Sequence, residues 1–325
     1  MIRKPLAIIG APSSAGAFAP GQEKAPAALR DAGLIEMLTE RRLNVADHGD
    51  TALFRWRPDR GQPTAQNVDA VLRTALDVEQ KVRRAVSEGC WPLVIGGDCT
   101  VGIGTVAGHL PTADSIGLLY FDLHPDLNVP DVGERQPGAL DWMGVAHMLG
   151  EIGTVDRLSR FGARYPLLAD HEILLFGFGP RQTTAWEHEV IKRRALKCIP
   201  VDEVSNDPEA AADRAVGLLE PEVDRILIHF DVDVIDFTDA PLSEHTGRNQ
   251  GLSFDHAMRA LKLLLASPKV AALTVTELNP DHGEEGGSTT RRFAKALSDA
   301  LTGATVEPYV TPVSNRQRGA QADRD

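Results

Sequence analysis

Short, wholly apolar runs alternate along this chain with longer stretches in which apolar residues recur every three or four positions. The first pattern suits strands buried on both faces and the second suits helices that cover them. Together they predict a parallel sheet joined by crossover helices. Strands are expected at residues 6–9, 44–46, 92–95, 116–121, 172–176, 197–200, 225–230 and 271–277. Helices are expected at 25–40, 67–88, 208–219, 254–265 and 289–301, with Ser253 placed to cap the fourth. The Asn279-Pro280 step is a natural stop after the last strand. A single domain is expected over 1–311, followed by a polar, aperiodic segment at 312–325 that reads as a disordered tail.

Three polar clusters break the pattern just beyond strand ends: Gly96-Gly97-Asp98-Cys99, Asp122-Leu123-His124-Pro125-Asp126 and Asp231-Val232-Asp233. That edge of an open parallel sheet is where ligands bind. Alternate side chains of an extended segment share a face, so Asp122, His124 and Asp126 can point together, as can Asp231 and Asp233. Carboxylates shared between neighbouring divalent cations, with imidazole completing the shell, form the ligand set of a hydrolytic two-metal site. Each cluster taken singly has a plainer reading. Asp-x-His-x-Asp can be turn chemistry, Gly96-Gly97-Asp98 a tight turn, Cys99 a small buried hydrophobe, and Glu277 a strand-end ion-pair partner. The metal reading draws its force from two acidic motifs standing at two separate strand ends.

Composition narrows the partners. A formal net charge of −12 over 325 residues argues against unaided binding to nucleic-acid phosphates or anionic membranes and favours a cationic ligand. Cys90, Cys99 and Cys198 are too few and too scattered for a disulfide framework, so a reducing, cytoplasmic setting is expected. The apolar run at 6–10 is shorter than a signal-peptide core of about 7–15 residues. No segment approaches the roughly 20 apolar residues needed to cross a bilayer.

The three motifs, in this order, resemble those of the ureohydrolase family: arginase, agmatinase, formiminoglutamase and their relatives. Ile8-Ile9-Gly10-Ala11-Pro12, Ala25-Pro26-Ala27-Ala28-Leu29-Arg30, Gly49-Asp50 and Glu277-Leu278-Asn279-Pro280 extend the likeness over nearly the whole chain apart from the tail. The resemblance implies a three-layer α/β/α domain with a mostly parallel eight-stranded sheet, assembled as a homo-oligomer, a trimer or hexamer. It implies two manganese ions and hydrolysis of a linear C–N bond in a small guanidino or amidino compound, with release of urea. Carried across, the ligands of one ion are Cys99, Asp122, Asp126 and Asp231, and those of the other are Asp122, His124, Asp231 and Asp233. Glu277 matches the carboxylate that holds the substrate cation, and Asn128 a residue that touches its far end.

Three departures from the family pattern bear on chemistry. Cys99 stands where the family has histidine, and its thiolate would set five negative ligand charges against four positive ones. Softer sulfur also favours zinc, iron, cobalt or nickel over manganese. Asp141 stands where arginase keeps a proton-shuttling histidine, and an aspartate with pKa ~3.9 is a poor acid at neutral pH. Either Asp141 is strongly perturbed, His147 substitutes, or the leaving group needs little protonation, as in a hydroxyguanidine, an acylated or aryl guanidine, or a formimino compound. Finally, residues 176–181 and 242–247 lack the family's runs for gripping an α-amino acid end, which points away from plain L-arginine. Trp142, as packing or as a stacking face, and Glu244, beside the divergent loop, join the candidate substrate contacts. Asp236 is expected to support the cluster, and His245 and His282 are either surface residues or site residues. Two alternatives stand beside amidine hydrolysis: a formimino hydrolase that releases formamide, and a degenerate member kept as a structural or regulatory subunit.

Overall fold

The computed structural model describes residues 4–113, 115–130, 138–244 and 248–303; the expected tail and His245 lie outside them. All eight expected strands form, as β1 (Leu6–Gly10), β2 (Val45–Asp50), β3 (Trp91–Ile95), β4 (Ile116–Phe121), β5 (Ile173–Phe178), β6 (Lys197–Pro200), β7 (Arg225–Asp231) and β8 (Val270–Thr276). They make one sheet in the order β2-β1-β3-β8-β7-β4-β5-β6, parallel throughout. After β3 the chain crosses to start β4 away from it, and β8 and β7 later fill the gap. The loops leaving the four central strands β3, β8, β7 and β4 therefore converge on one place, the switch point where ligands of such sheets bind.

The helices are α1 (Ala25–Asp31), α2 (Leu34–Glu40), α3 (Val68–Ser87), α4 (Val101–His109), α5 (Gly144–Met148), α6 (Asp156–Ser159), α7 (Ala185–Arg194), α8 (Val201–Asn206), α9 (Pro208–Leu219), α10 (Phe254–Leu264) and α11 (Ser288–Gly303). Strand alternation sorts them into two layers. Leu119 and Phe121 of β4 pack with residues of α1, α2, α9, α10 and α11, whereas Ile116, Leu118 and Tyr120 pack with residues of α3, α4, α5 and α6. The result is the expected three-layer α/β/α domain. Ser253 caps α10 as expected, accepting from the His256 amide at 3.2 Å.

The helices depart from expectation in more than one place. The single helix at 25–40 is two, broken where Gly33 takes φ 86°. α4 was not foreseen, because all nine of its residues are buried and it has no polar face to give a helical period. Its glycines let it lie against α3: a Cβ on Gly104 would come within 2.5 Å of the Ala75 carbonyl oxygen.

Candidate metal centre

Both acidic motifs are shaped by the same local device. The carboxylate of Asp122 accepts the His124 amide at 2.6 Å, and that of Asp231 accepts the Asp233 amide at 2.7 Å. Each first aspartate thus bends its own strand end so that the residue two places on also turns inward. Cys99 enters from the turn after β3, where its amide donates to Glu277 Oε1 at 3.0 Å. Glu277, at φ 63°, is anchored through its own amide to the Gly97 carbonyl at 2.8 Å, and its Oε2 accepts from Gln22 Nε2 at 3.1 Å.

These elements place two compact donor groups side by side. Cys99, Asp122, His229 and Asp231 form one and Asp122, His124 and Asp233 the other, with donor atoms inside each group within 4.8 Å of one another. Cys99 Sγ donates to Asp231 Oδ2 at 2.8 Å, and His124 Nδ1 lies 2.9 Å from Asp233 Oδ2. Above them is a pocket lined, among the described residues, by Phe18, Cys99, His124, Asp126, Asp141, Trp142, Asp231, Asp233, Ser243, Glu244 and Glu277, six of these carboxylates and none lysine or arginine.

The residues fit divalent cations. Among the described residues, His124 Nε2 and Asp233 Oδ1 are buried without a hydrogen-bond partner, which costs about 1–3 kcal/mol apiece unless a ligand engages them. The acids are crowded as well. Burial, then the charge of Asp233, pushes Asp122 up to about 7, and burial with neighbouring carboxylates lifts Asp126, Asp231 and Glu277 well above the usual range. Asp233 alone goes down: burial opposes its charge, but the His124 imidazolium outweighs that. Burial, then Asp231, pushes the Cys99 thiol well up. Metal cations would relieve that repulsion, releasing protons from thiol and carboxyl ligands as they bind.

Several expected residues sit differently. Asp126, expected as a ligand beside Cys99, faces the pocket but belongs to neither donor group, and the Tyr120 hydroxyl donates to its Oδ2. His147, expected as an alternative proton donor, is away from the pocket: Nδ1 meets the Met143 carbonyl at 2.6 Å and Nε2 accepts the Val155 amide at 3.1 Å. Burial lowers its pKa to about 4, which favours the neutral ring over the imidazolium acid. Asn128 does not line the pocket, and its Oδ1 accepts from the Thr184 hydroxyl at 3.0 Å. Asp236 staples its own loop, accepting from Thr238, Gln250 and Gly251 amides.

The pocket does hold Asp141, Trp142 and Glu244. Burial, then the charge of Asp98, lifts the Asp141 carboxyl well above the usual range. The Trp142 indole stacks on the His124 ring at 5.5 Å, and Glu244 accepts from Asn279 at 2.6 Å and pairs with His282 at 3.1 Å. Two residues escaped the sequence reading, His229 and Gln22. The same alternation that gathered the aspartates could have found His229, since it stands two residues before Asp231 on one strand.

Comparison with known proteins places this geometry in context. A family model described as the arginase family matches residues 4–303. Arginase-1 of Rattus norvegicus is 30% identical over 304 residues, covering 92% of this chain and 92% of that protein. Among solved structures, the arginase of Bacillus caldovelox superposes with a TM-score of 0.82 at 25% identity, over 94% of this chain and 100% of that one. The formimidoylglutamase of Bacillus subtilis shares the fold with a TM-score of 0.73 at 20% identity, over 95% and 89% of the two chains.

Proposed function

This chain belongs to the arginase family, and on that premise we propose that it is a binuclear metal-dependent hydrolase of a linear C–N bond in a small cationic guanidino or amidino compound, releasing urea. The observation that carries the reading is the convergence of six carboxylates, a thiol and an imidazole on one pocket with no lysine or arginine among its described lining residues, together with His124 Nε2 and Asp233 Oδ1, unpartnered among the described residues. Buried acids in that number need cations.

Cys99, Asp122, His124, Asp231 and Asp233 would hold the ions. A divalent pair there supplies Lewis acidity, polarising a water toward hydroxide and stabilising charge that develops on the planar carbon's substituents. The protein's own groups supply the rest. Glu277, fixed at one oxygen by the Cys99 amide and at the other by Gln22, is set to orient a planar cation through charge-assisted hydrogen bonds. Asp141, whose carboxyl burial and then Asp98 lift well above the usual range, lines the pocket and is placed to pass a proton to the departing amine. Trp142 and Glu244 flank the cleft where the remainder of the substrate would lie, and Glu244 adds a negative charge there. That lining suits a cationic or uncharged end group better than the carboxylate of an amino acid, which supports a substrate other than plain L-arginine.

The test is turnover of a panel of guanidino, acylguanidino, arylguanidino and formimino compounds by metal-replete protein, with urea and formamide quantified separately. Urea from a non-arginine guanidine is the expected result. Efficient turnover of plain arginine overturns the substrate assignment, and formamide in place of urea moves the reaction to formimino hydrolysis. No turnover by protein shown to hold its metals would point to a structural or regulatory subunit.

A further inference from the structure

We infer that His229, rather than Asp126, completes the donor set around Cys99; this rests on the metal-dependent reading above and assigns the ligands of its sulfur-bearing half. Leu227, His229 and Asp231 of β7 follow one face of the sheet, and parallel register sets His229 beside Tyr120 of β4 and Asp231 beside Thr276 of β8. The imidazole stacks on the Tyr120 ring, centroids 4.3 Å apart and planes 15° from parallel. That stack holds Nε2 at 3.4 Å from Cys99 Sγ and 3.0 Å from Thr276 Oγ1. The same sulfur lies 2.8 Å from Asp231 Oδ2 and 3.9 Å from Asp122 Oδ2. Donors on a tetrahedron with bonds of about 2.0–2.3 Å stand roughly 3.3–3.8 Å apart, and the spacings here bracket that range.

Two neighbours favour the exchange. A Cβ on Gly102 of α4 would lie 2.8 Å from His229 Nδ1. The helix therefore carries glycine, at a cost of about 1 kcal/mol against alanine, where a side chain would displace the ring. Tyr120 acts at both ends: its ring seats His229, while its hydroxyl ties back the Asp126 carboxylate, on a residue held at φ 50°.

Charge counting agrees. With Asp126 in the set, thiolate and carboxylates give five negatives. With neutral His229 in its place, Cys99, Asp122, Asp231 and Asp233 give four, matching two divalent ions. The cysteine at position 99 and the histidine at 229 thus form a charge-conserving swap rather than a damaged site. Sulfur and imidazole also make this end softer than the Asp122–His124–Asp233 end, so it selects a zinc-like ion over manganese.

The experiment strips the full-length protein with chelator and titrates it with cobalt(II), following bound metal and absorption. The parent takes up two ions, one of them giving a thiolate-to-cobalt charge-transfer band. His229→Asn weakens that sulfur-bound ion by more than the roughly 10- to 100-fold that loss of a mere outer partner causes and shifts its visible bands, while Asp126→Asn keeps both its affinity and its spectrum. His229→Phe preserves the ring stack and reads the same loss if the asparagine variant does not fold. Loss of the sulfur-bound ion in Asp126→Asn, with His229→Asn and His229→Phe unaffected, overturns the inference and leaves the hydrolase reading standing. A parent protein that binds no cobalt at all defeats the hydrolase reading itself.

Discussion

At the scale of single residues, Asp141 carries the sharpest consequence. Burial and then the charge of Asp98, itself bonded to the Gly16 and Thr100 amides, lift its carboxyl well above the usual range, which favours the protonated acid. If that proton goes to the leaving amine, Asp141→Asn lowers kcat by about 10²- to 10⁴-fold for substrates with strongly basic leaving groups. The loss shrinks for weakly basic ones, and steady-state kinetics across a graded series reads the slope. A uniform loss across the series contradicts the role. Residue chemistry was legible where spacing repeats a motif: Asp122, His124, Asp231 and Asp233 announce themselves by their i, i+2 spacing at strand ends. His229 stayed hidden because it lies inside an apolar run, where a lone histidine reads as strand. Asp126 could be placed at the site from its motif, but no sequence pattern says that a tyrosine six residues earlier will engage it.

Among elements, the central strands were readable because they are short apolar runs buried on both faces, as β4 and β5 are along their whole length. β2 extends past its expected end through His48, Gly49 and Asp50, since an edge strand need not be apolar. α4 was unreadable for the opposite reason, a helix with no wet face. It should be the least forgiving element: Gly104→Val drives a side chain into the Ala75 carbonyl and Val78, and overpacking of that kind costs about 1–3 kcal/mol. Chemical denaturation measures it, and a variant as stable as the parent contradicts the close packing of α3 and α4. α7 was missed because charged residues surround it, yet its carboxyl end is pinned by Arg193 and Arg194 to the buried Glu151. Burial opposes the Glu151 charge, but Arg194 and then the other partners prevail, leaving its pKa below the ordinary value. A depressed folded-state pKa gives stability that is present above the unfolded value near ~4.3 and is lost as pH falls through the folded one. Glu151→Gln should therefore lower stability by about 1 kcal/mol at pH 7, a modest figure because the arginines are partly exposed. The gap from the parent should narrow below pH ~4, and a gap that widens on acidification contradicts the pairing.

For the whole molecule, fold and site are one problem. The delayed insertion of β7 and β8 between β3 and β4 brings four strand ends from distant parts of the chain to one pocket. The strands could be counted from the sequence, but their order emerges only in the structure, because apolar runs do not reveal their neighbours. Buried repulsion among acids is tolerated at that junction because a cofactor can neutralise it. The described residues contain no helix long and apolar enough to cross a membrane, and the trimer or hexamer implied by the family likeness is open to direct measurement by light scattering. The central claim is that this junction holds two cations. Elemental analysis of freshly isolated protein, purified without chelator, tests it most directly. Two divalent ions per chain are expected, falling to one or none when Asp122→Asn removes the carboxylate shared by both donor groups. A parent protein carrying no divalent metal, and taking none up from solution, would contradict the account.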